Sequence, residues 1–277
     1  MTHDNPYDLL NAESDDHRWA FGTGFTDPLE GIDTSVPEGM DAGPLADYCL
    51  ALGDDALVYS HRLQQWITRM PELEEETALA NIALDLLGQA RMLLARAGTI
   101  LGRTEDELAF MRDDAQFRNV RLVERADTDF AELVGRLLIF STWRLALFEH
   151  LANAQDPVLA AIAGKGVKEL TYHRDYAAQW VVRLGDGTEQ SKVRMQAALD
   201  TIWPLVDELF RDDDISRDDF DVVLDTAFAA AGLARPDNAP LAAVGGRTGR
   251  DGMHTEALGY VLAELQSVAR ANPDATW

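Results

Sequence analysis

Cysteine is nearly absent from this 277-residue chain: Cys49 stands alone, which excludes an intramolecular disulfide and makes the cytoplasm the expected compartment. Lysine is scarce as well. Lys165, Lys168 and Lys192 are the whole complement, and arginine carries almost all the positive charge. Against 24 basic residues stand 48 acidic ones, and the net charge of −24 argues against nucleic acid or an anionic membrane as the main partner. The apolar runs are broken by charges before they reach membrane-spanning length, so no transmembrane helix is expected. The N-terminus has neither a basic start nor an apolar stretch behind it, so no signal peptide is expected. β-alternation of useful length and internal repeats are missing too. What remains, a chain 47% hydrophobic with helical spacing, reads as all-α.

The organising stretch is residues 79–94, LANIALDLLGQARMLL. Leu79, Ile82, Ala83, Leu86, Leu87, Ala90, Leu93 and Leu94 recur at three- and four-residue steps, an apolar stripe wide enough to face a bundle core. Asn81, Asp85 and Gln89, four apart, are expected along one side of the same helix.

Residues 1–44, rich in Asp, Gly and Pro, read as an acidic and partly irregular N-terminal extension, with Trp19, Phe21 and Phe25 as its anchors. Residues 45–277 read as one helical domain. Its first helix covers 44–70, interrupted early by Gly53-Asp54-Asp55. Pro71 opens the second, and Glu72, Glu74, Glu75 and Glu76 suit its positive end. A Thr104–Glu107 capping box starts a short helix and a crossover to residue 124. Longer helices follow over 129–152, from Asp156-Pro157 to 184, over 189–211 with a kink after Trp203 at Pro204, and over 216–231. A Pro/Gly-rich loop leads to the last helix, 254–271. The order is that of an up-down four-helix bundle with additional C-terminal helices.

Such bundles host di-iron centres when two helices each supply Glu-x-x-His and two others each supply a Glu. None of the six histidines, at 3, 17, 61, 150, 173 and 254, has Glu three residues before it. In the organising stretch, Asp85 is followed three residues later by Gly88, not His. Glu169 and His173 share a helix face, where a Glu–His hydrogen bond outweighs a metal site. Asp251-x-x-His254 has the spacing but lies at a loop–helix junction and suits capping or contact with another protein chain. Asp54, Asp55 and Glu149 are candidates for the single-carboxylate positions, each better read as a solvated or paired acid. Gly245-Gly246-Arg247-Thr248-Gly249-Arg250 lacks the lysine of a phosphate loop, which leaves Arg247 and Arg250 as candidates for gripping a phosphate or a carboxylate, or, more commonly for such a loop, for contacting another protein chain.

Four blocks carry a resemblance: TALANIALDLLGQARMLL from Thr77, DELAFMRDDAQFRNVRLVE from Asp106, VKELTYHRDYAAQWVVRLGDGTEQSKVRMQAALDTIW from Val167, and GGRTGRDGMHTEALGYVLAELQSVAR from Gly245, with the terminal Trp277. Together they resemble the non-catalytic C-subunit family of bacterial phenylacetyl-CoA epoxidase over residues 45–277. The resemblance implies a ferritin-like fold and a metal-free structural subunit, with no cofactor of its own. It implies pairing with a catalytic A subunit that carries the di-iron centre, a small bridging B subunit, and electrons from an NADPH-dependent reductase. It makes Asp85, Gln89, Glu169 and His173 relics of a degenerate metal site, bonded to one another. A homodimer of the isolated chain is expected through the pairing surface. Two other readings stand beside this one. An independent di-metal oxidase or oxygenase would use Asp54 or Asp55, Asp85, Glu149, Glu169 and His173. A CoA-thioester-binding bundle would use Arg247 and Arg250.

Overall fold

The computed structural model describes residues 31–70, 72–211, 215–273 and 275. Among them run eight α-helices: α1 (Ala42–Gln64), α2 (Leu73–Leu101), α3 (Glu105–Phe110), α4 (Phe130–Leu151), α5 (Pro157–Gly185), α6 (Glu189–Ile202), α7 (Arg217–Ala231) and α8 (Glu256–Ala271). The sole strand-like pairing among these residues is a bridge between Val244 and Arg247. The chain is all-α, a ferritin-like bundle. α1 packs along α2 and α4 along α5, while α2 against α5 joins the two pairs. α6 and α7 lie on the α4–α5 side, and α3 and α8 cover the other end.

Each core helix owes its place to its apolar pattern. α4 is buried nearly all round, from Ala131 through Leu145 without a gap, as befits a helix apolar on every side. α2 and α5 bury one face each. Local signals fix the ends. Thr104 accepts from the Glu107 amide at 3.1 Å while Glu107 accepts from the Thr104 amide at 2.8 Å, closing the predicted box at the start of α3. Asp156 accepts from the Leu159 amide at 2.8 Å ahead of Pro157, which occupies a first-turn position where no amide is needed.

Several boundaries differ from the sequence expectation. α1 ends at Gln64, and Ile67–Arg69 is a 3-10 turn tightened by Trp66 N–H donating to Leu63 O at 2.9 Å. Met70 is extended (φ −72°, ψ 144°), the conformation imposed on a residue preceding proline, and this keeps the helix from running on. Pro71 itself, like Trp19, Phe21, Phe25 and Trp277, lies outside the described residues. α6 does not kink at Pro204 but ends at Ile202, and 3-10 turns follow at Trp203–Leu205 and Asp207–Phe210. Proline has no amide to donate to the preceding turn, so the ladder stops. At the other end, packing reaches back before α1: Ile32, Val36 and Met40 lie against the core, and Arg96 of α2 donates to the carbonyls of Thr34 and Ser35.

Gly53-Asp54-Asp55 does not interrupt α1; all three residues are buried within it. A Cβ on Gly53 would stand 2.9 Å from Leu94 Cδ2 and 3.4 Å from Leu93 Cβ, so glycine here lets α1 and α2 approach closely. Gly53→Val is therefore expected to lower stability by about 1–3 kcal/mol through overpacking. Urea unfolding checks this, and an unchanged midpoint would show that α2 can yield.

α2 also corrects the reading of apolar runs. It is long and apolar enough, by length and composition, to cross a membrane. Its inner face is spent on the bundle: Leu79, Ile82, Ala83, Leu86, Ala90 and Leu93 are all fully buried.

Candidate functional site

Where a di-metal bundle would gather its carboxylates, one hydrogen-bonded chain crosses all four core helices. Arg144 of α4 is completely buried, stacked within 4.5 Å of the Phe148 ring centre and 5.6 Å of that of Phe140. Its Nε donates to Gln89 Oε1 of α2 at 2.9 Å, and a terminal nitrogen donates to Leu52 O of α1 at 3.2 Å. Because the Gln89 oxygen accepts from arginine, its amide nitrogen is free to donate onward, and it does so to Glu169 Oε2 of α5 at 2.9 Å. Glu169 also faces Lys165 one turn away at 3.4 Å. The amide thus relays between a buried cation and a partly buried anion.

One turn along, Asp85 of α2 meets His173 of α5, Oδ2 to Nε2 at 3.0 Å, with the imidazole fully buried and the carboxylate about a third exposed. These four positions therefore bond in pairs between helices, Asp85 with His173 and Gln89 with Glu169. The expected Glu169–His173 bond within α5 is not what forms. Each has its partner on α2, Asp85 for His173 and Gln89 for Glu169. Nor do Asn81, Asp85 and Gln89 share an environment. A four-residue step overshoots the helix turn by about 40°, so Asn81 faces solvent, Asp85 the edge and Gln89 the interior. Farther toward the start of α2, Glu75 Oε2 accepts from Tyr176 Oη at 2.5 Å and Trp180 Nε1 at 2.9 Å. One acid of the Glu72–Glu76 run is thus an interhelical anchor and not merely a match to the helix dipole.

The remaining acids are committed elsewhere. Asp54, fully buried, takes both terminal nitrogens of Arg112 and the Arg118 amide at 2.9 Å. Asp55, also fully buried, takes Arg250 through two nitrogens at 3.0 and 2.8 Å and the Val120 amide at 2.8 Å. Two adjacent acids on α1 thereby hold the crossover and the C-terminal loop. Glu149 is exposed on the last turns of α4. Arg250 is turned inward onto Asp55, Ala51 O and Arg118 O, whereas Arg247 lies exposed on the loop and donates to Asp251 O. The two arginines do not converge on one ligand. A surface cleft of about 280 Å³ beside Asp129 and Arg194 and another of about 420 Å³ beside Asp113 and Arg270 include neither. Asp251 caps Thr248, and His254 turns to Glu124.

Sequence reasoning missed Arg144, Arg112, Glu124 and Glu208. Glu208 accepts from Arg121 Nε at 2.6 Å and from the Gly249 amide at 3.0 Å, a second clamp on the C-terminal loop. A signal was present for Arg144: a single charge inside the apolar run LLIFSTWRLALF must be buried and therefore paired.

Chemically, the centre is a set of interhelical hydrogen bonds organised by a guanidinium. Among the described residues no group of three or more His, Cys, Asp or Glu side chains is placed to hold a metal ion. Iron prefers oxygen and imidazole donors in a converging set. Here one imidazole and two carboxylates are bonded separately, and Arg144 supplies a positive charge among them. The residues do not fit a di-iron centre.

Comparison with known proteins agrees with the blocks noted in the sequence. Residues 33–277 match the family model described as phenylacetic acid catabolic protein. Over 245 residues the chain is 42% identical to the C subunit of 1,2-phenylacetyl-CoA epoxidase from Escherichia coli (strain K12), covering 84% of this chain and 99% of that relative. With its match extending across the four core helices and the C-terminal helices alike, the chain belongs to the phenylacetic acid catabolic protein family.

Proposed function

We propose that this chain is the non-catalytic C subunit of a 1,2-phenylacetyl-CoA epoxidase in aerobic phenylacetate catabolism, and that it pairs with and stabilises the di-iron A subunit. The observation that carries the reading is Arg144. A catalytic bundle leaves its centre open for metal ions and dioxygen, whereas here a guanidinium, two aromatic rings and the Gln89 amide fill the same level. A fixed organic cation cannot change oxidation state, but it ties four helices together permanently. The relative's name supports the assignment to an epoxidase. The combination of a ferritin-like bundle with a closed centre supports a scaffold role.

The test is metal content. Purified with added ferrous iron, this chain is expected to retain far less than one iron, while the A subunit treated in parallel retains about two. About two irons per chain here, with ferric–oxo absorbance, would sink the scaffold reading and make Glu169 and His173 the first residues to replace. The partners implied by the subunit reading are the A subunit, the small B subunit and, through them, the NADPH-dependent reductase. Omitting this chain from a reconstituted mixture is expected to lower turnover by destabilising the A subunit, and an A subunit equally stable alone would count against pairing.

A further inference from the structure

α2 carries more apolar surface than the bundle uses. Only 44% of its most apolar stretch is buried within this chain. On the outward side Leu73 is 72% exposed and Leu84 59% exposed, and Tyr172 on the adjoining face of α5 is 51% exposed. In a chain where 26% of residues are charged, the α2 side of this face is almost free of charge from Thr77 to Thr99, whereas the α5 side carries Lys165 and Lys168. On α2, Asp85 and Arg91 are the two unburied exceptions, and each is bonded within the chain, to His173 and Glu105.

Two helix-interior glycines lie alongside. Gly88 on α2 and Gly164 on α5 have nothing within 4 Å of where a Cβ would sit, so packing within the chain does not require them. A glycine in mid-helix costs about 1 kcal/mol against alanine. Close approach of a backbone from outside gives that cost a purpose.

We infer that the α2–α5 outer face is the docking surface for a helical face of a different protein chain, which on the reading above is the A subunit. A face about 40 Å long and two helices wide, about 20 Å, offers roughly 800 Å², the share that each partner contributes to a stable interface. Charge selects the occupant. A second copy would bring another −24 to the contact. At one end Glu72 and Glu74 stand exposed, and farther along, within about a turn of the level where Glu169 meets Gln89, lie Lys165 and Lys168, two of the three lysines in the chain. The occupant that fits has a small or apolar middle, basic residues opposite the glutamates and acidic ones opposite the lysines.

Because Cys49 is buried and its thiol is pushed up to about 12 by burial, Leu84→Cys introduces a single reactive thiol. In the full chain this thiol is expected to label readily alone and to be shielded when the purified A subunit is added. Leu84→Arg and Gly88→Leu are expected to weaken A-subunit binding by roughly 30-fold or more, the scale of an interface hot spot. Val222→Arg, at a 65% exposed site on α7, is the control and is expected to bind like the parent. If the parent binds the A subunit and both face variants bind as well as it does, or if Val222→Arg loses as much, the docking surface is elsewhere while the reading of the chain as an epoxidase component stands. If the parent does not bind the A subunit at all, that reading itself fails. Shielding in the isolated chain that grows with its concentration would assign the face to a second copy. Concentration-independent shielding would assign it to residues 1–30. Either result overturns the inference.

Discussion

Arg144→Ala is expected to lower the unfolding free energy by about 3–5 kcal/mol, the scale of removing one partner from a buried ionic network. The substitution takes a partner from several groups at once. Gln89 Oε1 loses its donor in a region without solvent, Leu52 O is left with its helical donor alone, and Phe148 and Phe140 lose the flat cation packed against them. The Gln89 amide is then free to turn, which weakens its hold on Glu169. Urea unfolding followed by circular dichroism measures the loss. Replacing the network as a set, Arg144→Met with Gln89→Leu and Glu169→Leu, is expected to recover most of it, because an apolar core of matching volume carries no stranded polar group. If alanine alone costs less than about 1 kcal/mol, the network is incidental and contributes no more than a surface ion pair. If the apolar triple variant is as damaged as alanine, the guanidinium contributes through shape and not through hydrogen bonding.

The same residues explain what the sequence makes legible. Helix existence and caps rest on near neighbours, so periodicity finds α2, α4 and α5, and Thr104 with Glu107 marks the start of α3 within four residues. The absence of Glu-x-x-His is equally local and equally readable. Pairings across the bundle are not. Asp54 finds Arg112 at a separation of 58 residues, and Asp55 finds Arg250 at 195. No spacing rule links such positions; only the packing of α1 against the crossover and the C-terminal loop brings them together. Gly53 misleads for the same reason. A glycine followed by two acids resembles a break until Leu94 and two arginines from distant segments give each residue a role. The missing signal is the unmatched charge: an arginine in an apolar helix announces a partner without naming it.

The junction before α8 makes the largest pH-dependent prediction. Glu124 is fully buried and accepts four hydrogen bonds, from Asn119 Nδ2 at 2.9 Å, His254 Nδ1 at 2.6 Å, and the amide and hydroxyl of Thr255 at 2.7 and 2.6 Å. His254 Nε2 faces Phe117 O at 3.0 Å. Both ring nitrogens thus meet acceptors, an arrangement that favours the doubly protonated imidazolium over either neutral tautomer. Burial works against that charge, but the hydrogen bond and charge of Glu124, helped by the Phe117 carbonyl and by Asp54, raise the His254 pKa above its ordinary 6.5. The folded chain then holds more protons than the unfolded one between those two values, so stability falls as pH rises. The contribution is complete below about 6.5 and is lost through the higher, folded-state value. His254→Gln is expected to cost about 1.5–3 kcal/mol at pH 6, the range for a hydrogen bond to a charged group, and progressively less on the alkaline side. Comparing parent and variant at each pH isolates this group from the other titrating residues. Glu124→Gln is expected to cost more, about 3–5 kcal/mol, because it removes the anion and leaves the ring to lose its proton in an apolar site. It should also flatten the pH dependence. A parent-to-His254→Gln difference that stays constant from pH 6 to 9, within about 0.5 kcal/mol, would mean that the ring is neutral in the folded chain, with Phe117 O or Glu124 facing a nitrogen that carries no proton.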